Sequence, residues 1–256
     1  MIQRSSEDTP KVERVLKDDV DARVVVIETG DGLVVEKSYA TPRHVIWRTF
    51  GQRSKAKREH DNLAALHGSG VPCVRPIDYR EIRRFGFMSS STIATEWIAD
   101  APDLLHIFRK KREPRHHPWR RDLSEEYGRL IRIMHDRGFV STSSSPRNIL
   151  LQKIDDGTRL ILCDQPQLMA VGRPIYGSWL ASIDLFDIAF VRRRRDLFTN
   201  RERYRFLWGY TDGDRAAIRR EWTRLSRRTR WTNQFGKRIC HALARLPIRR
   251  FRPKAP

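Results

Sequence analysis

The chain has 256 residues, with 51 Lys or Arg against 31 Asp or Glu, a formal net charge of +20. A hydrophobic content of 39%, with seven Trp and eleven Phe, excludes a disordered polyelectrolyte and leaves ample material for a core. No apolar run approaches the ~18–20 residues that span a bilayer, the polar first ten residues lack a secretory h-region, and three scattered cysteines (Cys73, Cys163, Cys240) read as reduced thiols of a cytoplasmic protein.

Residues 1–20 are polar and read as a loose arm. Residues 24–27, the turn Thr29-Gly30-Asp31-Gly32 and residues 33–39 read as strand, tight turn, strand. Residues 54–67 predict a helix, with Ser54 as N-cap, Leu63 and Leu66 on the apolar side and Gly68 at the stop. The prolines in 70–76 keep that segment extended, and residues 93–98 predict a strand. Residues 122–137 predict a second helix, with Leu123, Tyr127, Leu130, Ile131 and Met134 at helical spacing. A Ser-rich loop (141–145) follows, then a hairpin of 149–151 and 160–163 around Asp155-Asp156-Gly157. From 183 onward the pattern is helical, with turn signals at 211–214, and no internal repeat is visible. The order predicts an α+β chain: a small lobe with an antiparallel sheet and one main helix (21–98), a mostly helical lobe (99–226) and a basic tail (227–256).

Four polar residues stand out by context. Lys37 lies in a strand, Glu59 lies mid-helix, Asn148 directly precedes the hairpin and Asp164 follows its second strand. Phosphoryl transfer uses such a set: a Lys on the nucleotide phosphates, a Glu that holds it, and an Asn and an Asp for magnesium. Each also has an ordinary reading. Lys37 could be a solvated edge charge, Glu59 a surface partner of Lys55, Asn148 a turn residue and Asp164 a cap. Their order along the strand–helix–loop–hairpin framework favours the joint reading over the separate ones.

The stretches VVEKSYA, KREHDNLAALHGSGVPCVRPIDY, ATEWIADAPDL, RLIRIMHDRGF, SPRNILL, LILCDQPQL, SIDLFDI and RERYRFLWGYTDGD resemble, in order and spacing, the lipopolysaccharide kinase family, which comprises the Kdo and heptose kinases. The resemblance covers roughly residues 22–225. It implies a two-lobed protein-kinase-like fold with ATP in the cleft between the lobes. It implies that Lys37 meets the ATP phosphates, that Glu59 pairs with Lys37, and that Asn148 and Asp164 are magnesium ligands. Residues 95–99, among them Thr95, Glu96 and Ile98, would form the hinge that receives adenine. Asp184 would brace the catalytic loop as structural support.

The chain departs from the family at its catalytic loop. Where the family reads His-Gly-Asp-Leu-His-Pro-x-Asn, this sequence reads Ser141-Thr142-Ser143-Ser144-Ser145-Pro146-Arg147-Asn148. Ser143 therefore stands where the proton-accepting Asp belongs, and a neutral serine is no base at pH 7. Asp136 is expected to face away, and no acid lies between it and Asp155. Gly30 and Gly32 are only a fragment of a phosphate-binding glycine loop. Two readings stay open: an impaired kinase acting on a sugar hydroxyl of a lipid-linked glycan or lipopolysaccharide core intermediate, and a nucleotide-binding pseudokinase or membrane-associated scaffold without turnover.

The charge is unevenly placed. Residues 192–256 hold 21 basic and 5 acidic residues, so the rest of the chain is nearly neutral. Trp231, Phe235, Ile239, Leu243 and Leu246 recur at helical spacing among arginines. This basic amphipathic stretch could meet an anionic membrane through residues 227–252, pack on the helical lobe, or bind nucleic acid. Nucleic acid is the least supported, because no reader motif accompanies the charge. The resulting expectation is a cytoplasmic protein, peripheral at the inner face of the inner membrane. Arg192, Arg193, Arg194 and Arg195 read as a solvated face, and His116 and His117 as loop residues without a metal role.

Overall fold

Five antiparallel strands form one sheet in the order β1-β2-β3-β5-β4, from β1 (Val12–Asp19), β2 (Ala22–Thr29), β3 (Gly32–Ala40), β4 (Pro76–Arg84) and β5 (Phe87–Glu96). The structure is a computed structural model that describes residues 12–19, 22–30, 32–110, 118–155, 157–190, 197–228 and 230–243. Alternation along β2 and β3 divides the sheet. Val25, Ile27 and Val34 cluster on one face with Ile77. The paired residues Val24 and Lys37, and Val26 and Val35, stand on the other.

Residues 12–19, expected in a loose arm, instead form β1. All of its side chains are exposed, so no burial pattern marks it in sequence. Its order comes from the backbone edge of β2, with which it pairs from Val12↔Ile27 to Asp19↔Ala22. β4 also escaped the sequence, but for its composition: it is a half-buried edge strand rich in charged residues, with no strict apolar alternation. β5 begins six residues before the predicted strand and ends at Glu96, so Ile98 lies beyond it.

Helix α1 (Lys55–Gly68) starts as predicted, with the Lys57 amide donating to Ser54 Oγ at 2.9 Å. Leu63 and Leu66 are fully buried. The chain divides into two compact units within this helix: Met1–Ala64 with Val74–Ala99, and Ala65–Cys73 with Asp100–Pro256.

The second unit holds α2 (Leu104–Lys110), α3 (Pro118–Asp136), β6 (Phe139–Ser141), β7 (Ile149–Ile154), β8 (Gly157–Leu162), β9 (Leu168–Ala170), α4 (Trp179–Leu185), α5 (Asn200–Tyr210), α6 (Arg215–Arg227) and α7 (Arg230–Leu243). β7 and β8 form the expected hairpin, and β6 pairs antiparallel with β9. Tyr127, Leu130, Ile131 and Met134 of α3 are buried, as their spacing predicts. α3 and α5 cross at two glycines. A Cβ on Gly128 would sit 2.0 Å from Phe206 O, and one on Gly209 would sit 1.9 Å from Glu125 O. The helical run placed after 183 begins earlier, at Trp179, where Ser178 caps it, and a π-helical turn (Phe186–Phe190) interrupts it.

α7 packs against α4 and β9. Cys240 sits in a cluster with Val140, Met169, Ile175, Ala181 and Ile183. A Cβ on Gly236 would lie 2.9 Å from Ile183 Cδ1, so the missing side chain permits the close approach. The face turned inward is thus Asn233, Gly236 and Cys240, whereas Phe235 and Ile239 of the predicted apolar stripe stay exposed. Lys237 Nζ meets Asp187 Oδ1 at 2.7 Å. Leu246 and the arginines beyond α7, residues 192–195, His116 and His117, and the side chains of Trp231 and Leu243, lie outside the described residues.

Candidate functional site

In the first unit the period of two along β3 puts Lys37 and Tyr39 on the face that α1 covers. Both converge on Glu59, which is 3% exposed. Lys37 Nζ lies 3.4 Å from Glu59 Oε1, and Tyr39 Oη donates to Glu59 Oε2 at 2.6 Å. Glu59 is thus a buried carboxylate and no surface residue, and Lys55 Nζ lies 4.3 Å from the Tyr39 ring centroid. Thr95 is paired with Val35 in the sheet. Glu96 accepts the Arg75 amide at 2.7 Å, and the Glu96 amide donates to Arg75 O at 3.0 Å. Gly30 and Gly32 belong to the β2–β3 turn, where Thr29 Oγ1 donates to Gly32 O at 2.7 Å.

In the second unit residues 141–148 join β6 to the β7–β8 hairpin, with a 3-10 turn at Pro146–Asn148. The Asn148 amide is the knot of this loop. Its Nδ2 donates to Ser143 O at 2.7 Å and to Asp164 O at 3.2 Å, and its backbone carbonyl accepts the Cys163 amide at 2.9 Å. Oδ1 of Asn148 takes part in none of these bonds. Asp164 adopts a left-handed φ of 51°, at the end of the hairpin. Asn148 Nδ2 thus ties the two residues together through the Asp164 main-chain carbonyl, and an amide oxygen and a carboxylate are hard oxygen donors of the kind magnesium takes, usually one or two from protein with phosphates and water completing the shell. The residues present therefore fit that ion.

The loop is braced from beneath. Asp184, fully buried, accepts the Ser141 amide at 2.7 Å through Oδ2 and contacts His135 Nε2 at 3.2 Å. His135 Nδ1 is 2.9 Å from Tyr210 Oη. Burial raises the Asp184 carboxyl above its ordinary range, and the contacts to His135 and Ser141 oppose that shift. Tyr127 Oη donates to Ser144 O, and Ser141 Oγ to Gln165 Oε1.

Ser143 is partly exposed, its amide held by Ser141 Oγ at 3.2 Å. Asp136 is turned to Arg132 at 2.7 Å. Beside Ser143, Thr142 Oγ1 bridges Gln167 Oε1 at 2.9 Å and His241 Nε2 at 2.8 Å. A hydroxyl has one proton, so with Thr142 donating to Gln167 it accepts from His241 Nε2–H. The sequence singled out neither His241 nor Thr142, since the contact spans 99 residues. Tyr39 was missed as well, although its place two strand positions from Lys37 is a signal that could have found it.

These features are those of a protein-kinase-like α+β protein. A family model described as "Lipopolysaccharide kinase (Kdo/WaaP) family" matches residues 42–167, a stretch that includes Glu59, Ser143, Asn148 and Asp164 but not Lys37, Asp184 or α7. The 3-deoxy-D-manno-octulosonic acid kinases of Haemophilus influenzae strains PittEE and ATCC 51907 are 31% and 30% identical over 114 residues, 44% of this chain and 45% of each relative. The match thus spans less than half the length of those curated relatives. The solved structure "WaaP in complex with acyl carrier protein" superposes with a TM-score of 0.59 at 22% identity, covering 90% of this chain and 88% of that one. The resemblance to the lipopolysaccharide kinase family and the kinase-like fold, both expected from sequence, are met.

Proposed function

We propose that the chain binds ATP with magnesium and transfers phosphoryl to a sugar hydroxyl of a lipid-linked glycan, slowly, because Ser143 stands where a base should. The observation that carries this reading is the Asn148 knot, which ties the backbones of Ser143 and Asp164 to one amide and leaves Asn148 Oδ1 to a cation. Asn148 Oδ1 and the Asp164 carboxylate would hold magnesium, which when bound would neutralise phosphate charge. Lys37, kept in place by Glu59 and Tyr39, adds a second positive charge, and residues 95–99 receive adenine. Asp184 fixes the loop through the Ser141 amide and does no chemistry.

The curated relatives' names make a 3-deoxy-D-manno-octulosonic acid hydroxyl the first acceptor to try. A lipid-linked acceptor fits a protein working at the inner face of the inner membrane. None of the described helices is long and apolar enough to cross a membrane, so attachment would be peripheral.

Loss of a positioned base costs about 10²–10⁴ in rate, roughly 3–5 kcal/mol of barrier. A loose transition state needs little early deprotonation, which softens the loss. Ser143→Asp is therefore expected to raise phosphotransfer from labelled ATP to 3-deoxy-D-manno-octulosonic acid–lipid A by about 100-fold. The pseudokinase reading has its own support, the absence of any acid between Asp136 and Asp155. Unchanged, undetectable turnover in Ser143→Asp, with ATP still bound, would establish it.

A further inference from the structure

Large apolar side chains crowd one edge of the first unit and face solvent. Trp47 is 61% exposed, Phe50 65%, Ile82 59% and Phe85 95%. They come from two segments that pack together: the 3-10 helix Arg43–Thr49 with the residues after it, and the tip of the β4–β5 hairpin. The Phe50 and Phe87 rings lie 5.3 Å apart, centroid to centroid. The Met88 amide donates to Thr49 Oγ1 at 2.9 Å, and the Thr41 amide to Ser89 O at 3.0 Å. Arg83 Nη2 reaches Gln52 O, and Arg83 Nη1 reaches Gly86 O at 3.2 Å. The edge is therefore a built platform with two loops fixed to each other.

The hairpin tip is costly as built. Phe85 and Gly86 both have positive φ, 51° and 83°, the requirement of a two-residue type I′ turn. Asn-Gly or Asp-Gly is the usual choice there, and a bulky residue in that conformation is strained. Here the strained position holds a Phe that buries nothing. Strain kept at an exposed aromatic points to a use outside the folded unit.

The exposed charge beside the aromatics is basic. Residues 37–58 and 82–95 contain no Asp or Glu; Arg53 and Arg83 are paired with Asp61 and Glu81, whereas Arg48 and Arg84 are turned to solvent. The Arg48 guanidinium lies 4.9 Å from the Trp47 ring. The nearest acid on the hairpin, Glu81, is engaged by Arg83 and the Ser54 amide, which, against the pull of burial, hold its carboxyl below the usual range.

We infer that this edge is a membrane-docking surface, with Phe85 and Trp47 inserting at the interface of an anionic bilayer and the arginines meeting lipid phosphates. Aromatic side chains favour the headgroup region, and each basic residue near an anionic leaflet adds attraction that salt screens. The surface is separate from the basic C-terminal quarter and does not depend on phosphotransfer.

The test uses the full chain and the double variant Trp47→Ser/Phe85→Asn. Asn suits the left-handed turn position, so the variant's melting temperature is expected to hold or rise. Co-sedimentation is measured with vesicles of phosphatidylcholine containing 30% phosphatidylglycerol, and with phosphatidylcholine alone. The expected result is binding to the anionic vesicles that weakens about tenfold in the folded double variant. Equal binding by variant and wild type, or no binding by wild type, overturns the proposal. A concentration-dependent dimer in sedimentation velocity that the variant abolishes, with vesicle binding unchanged, also overturns it and assigns the edge to self-association.

Discussion

Glu59 shows how much of the candidate site hangs on single side chains. A carboxylate 3% exposed must be compensated, and here an ammonium at 3.4 Å and a phenol at 2.6 Å do so. Tyr39→Phe leaves the ion pair but removes the shorter bond. Hydrogen bonds to buried charges contribute about 1.5–3 kcal/mol, so urea unfolding should show a loss of that size. If stability is unchanged, the Tyr39 hydrogen bond contributes nothing net to holding Glu59, and the tyrosine only fills space. His241 is the residue whose contact with the loop came as news. Its Nε2–H fixes the Thr142 hydroxyl, one position before Ser143, yet nothing in the sequence around it signals a partner 99 residues away.

Among the elements, the crossing of α3 and α5 and the docking of α7 have testable consequences. Gly209 approaches the Glu125 carbonyl too closely for any side chain, since a Cβ there would lie 1.9 Å from the oxygen. Gly209→Ala must push the helices apart and should cost about 3 kcal/mol, the upper range for overpacking, as read by thermal or urea unfolding. In α7, burial pushes the Cys240 thiol up to about 11. The unfolded thiol ionises at about 8.5, so between that pH and about 11 the unfolded state holds fewer protons than the folded one. Stability should therefore fall as pH rises through this window, and Cys240→Ala should flatten the fall. At neutral pH a thiol reagent should label the part-exposed Cys163 well before the buried Cys73 and Cys240. What the sequence disclosed at this scale follows burial. α1, α3 and the β7–β8 hairpin have apolar periodicity or turn chemistry and were legible. β1 and β4 are edge strands: β1 is exposed throughout and β4 is charged and only half-buried, so neither shows an apolar pattern, and their order is supplied by a neighbour's backbone. The stripe of α7 was visible, but a glycine and a cysteine decide its inward side, while Phe235 and Ile239 remain outside.

For the whole molecule, the opening charge of +20 separates from the chemistry. Each unit carries a few candidate residues of its own: Lys37, Tyr39 and Glu59 in one, and Asn148, Asp164 and the braced loop in the other. Lys37, Glu59, Asn148 and Asp164 stand out in the sequence because each sits beside a structural landmark, a strand, a helix, or either end of a hairpin, whereas Tyr39 was missed. The surplus arginines lie elsewhere, some in the C-terminal quarter and some beside the exposed aromatics of the sheet edge, and they bear on where the protein sits. The central claim is that the retained site binds nucleotide through magnesium despite Ser143. A thermal-shift titration with ATP, run with and without magnesium on the wild type and Asp164→Asn, tests it most directly. Ligand that binds only the folded state raises stability as RT ln(1 + [L]/Kd), so the melting temperature should climb with ATP and climb further with magnesium. Asp164→Asn should lose the magnesium-dependent part. No shift at millimolar ATP, or the same magnesium-dependent shift in the variant, would contradict the claim.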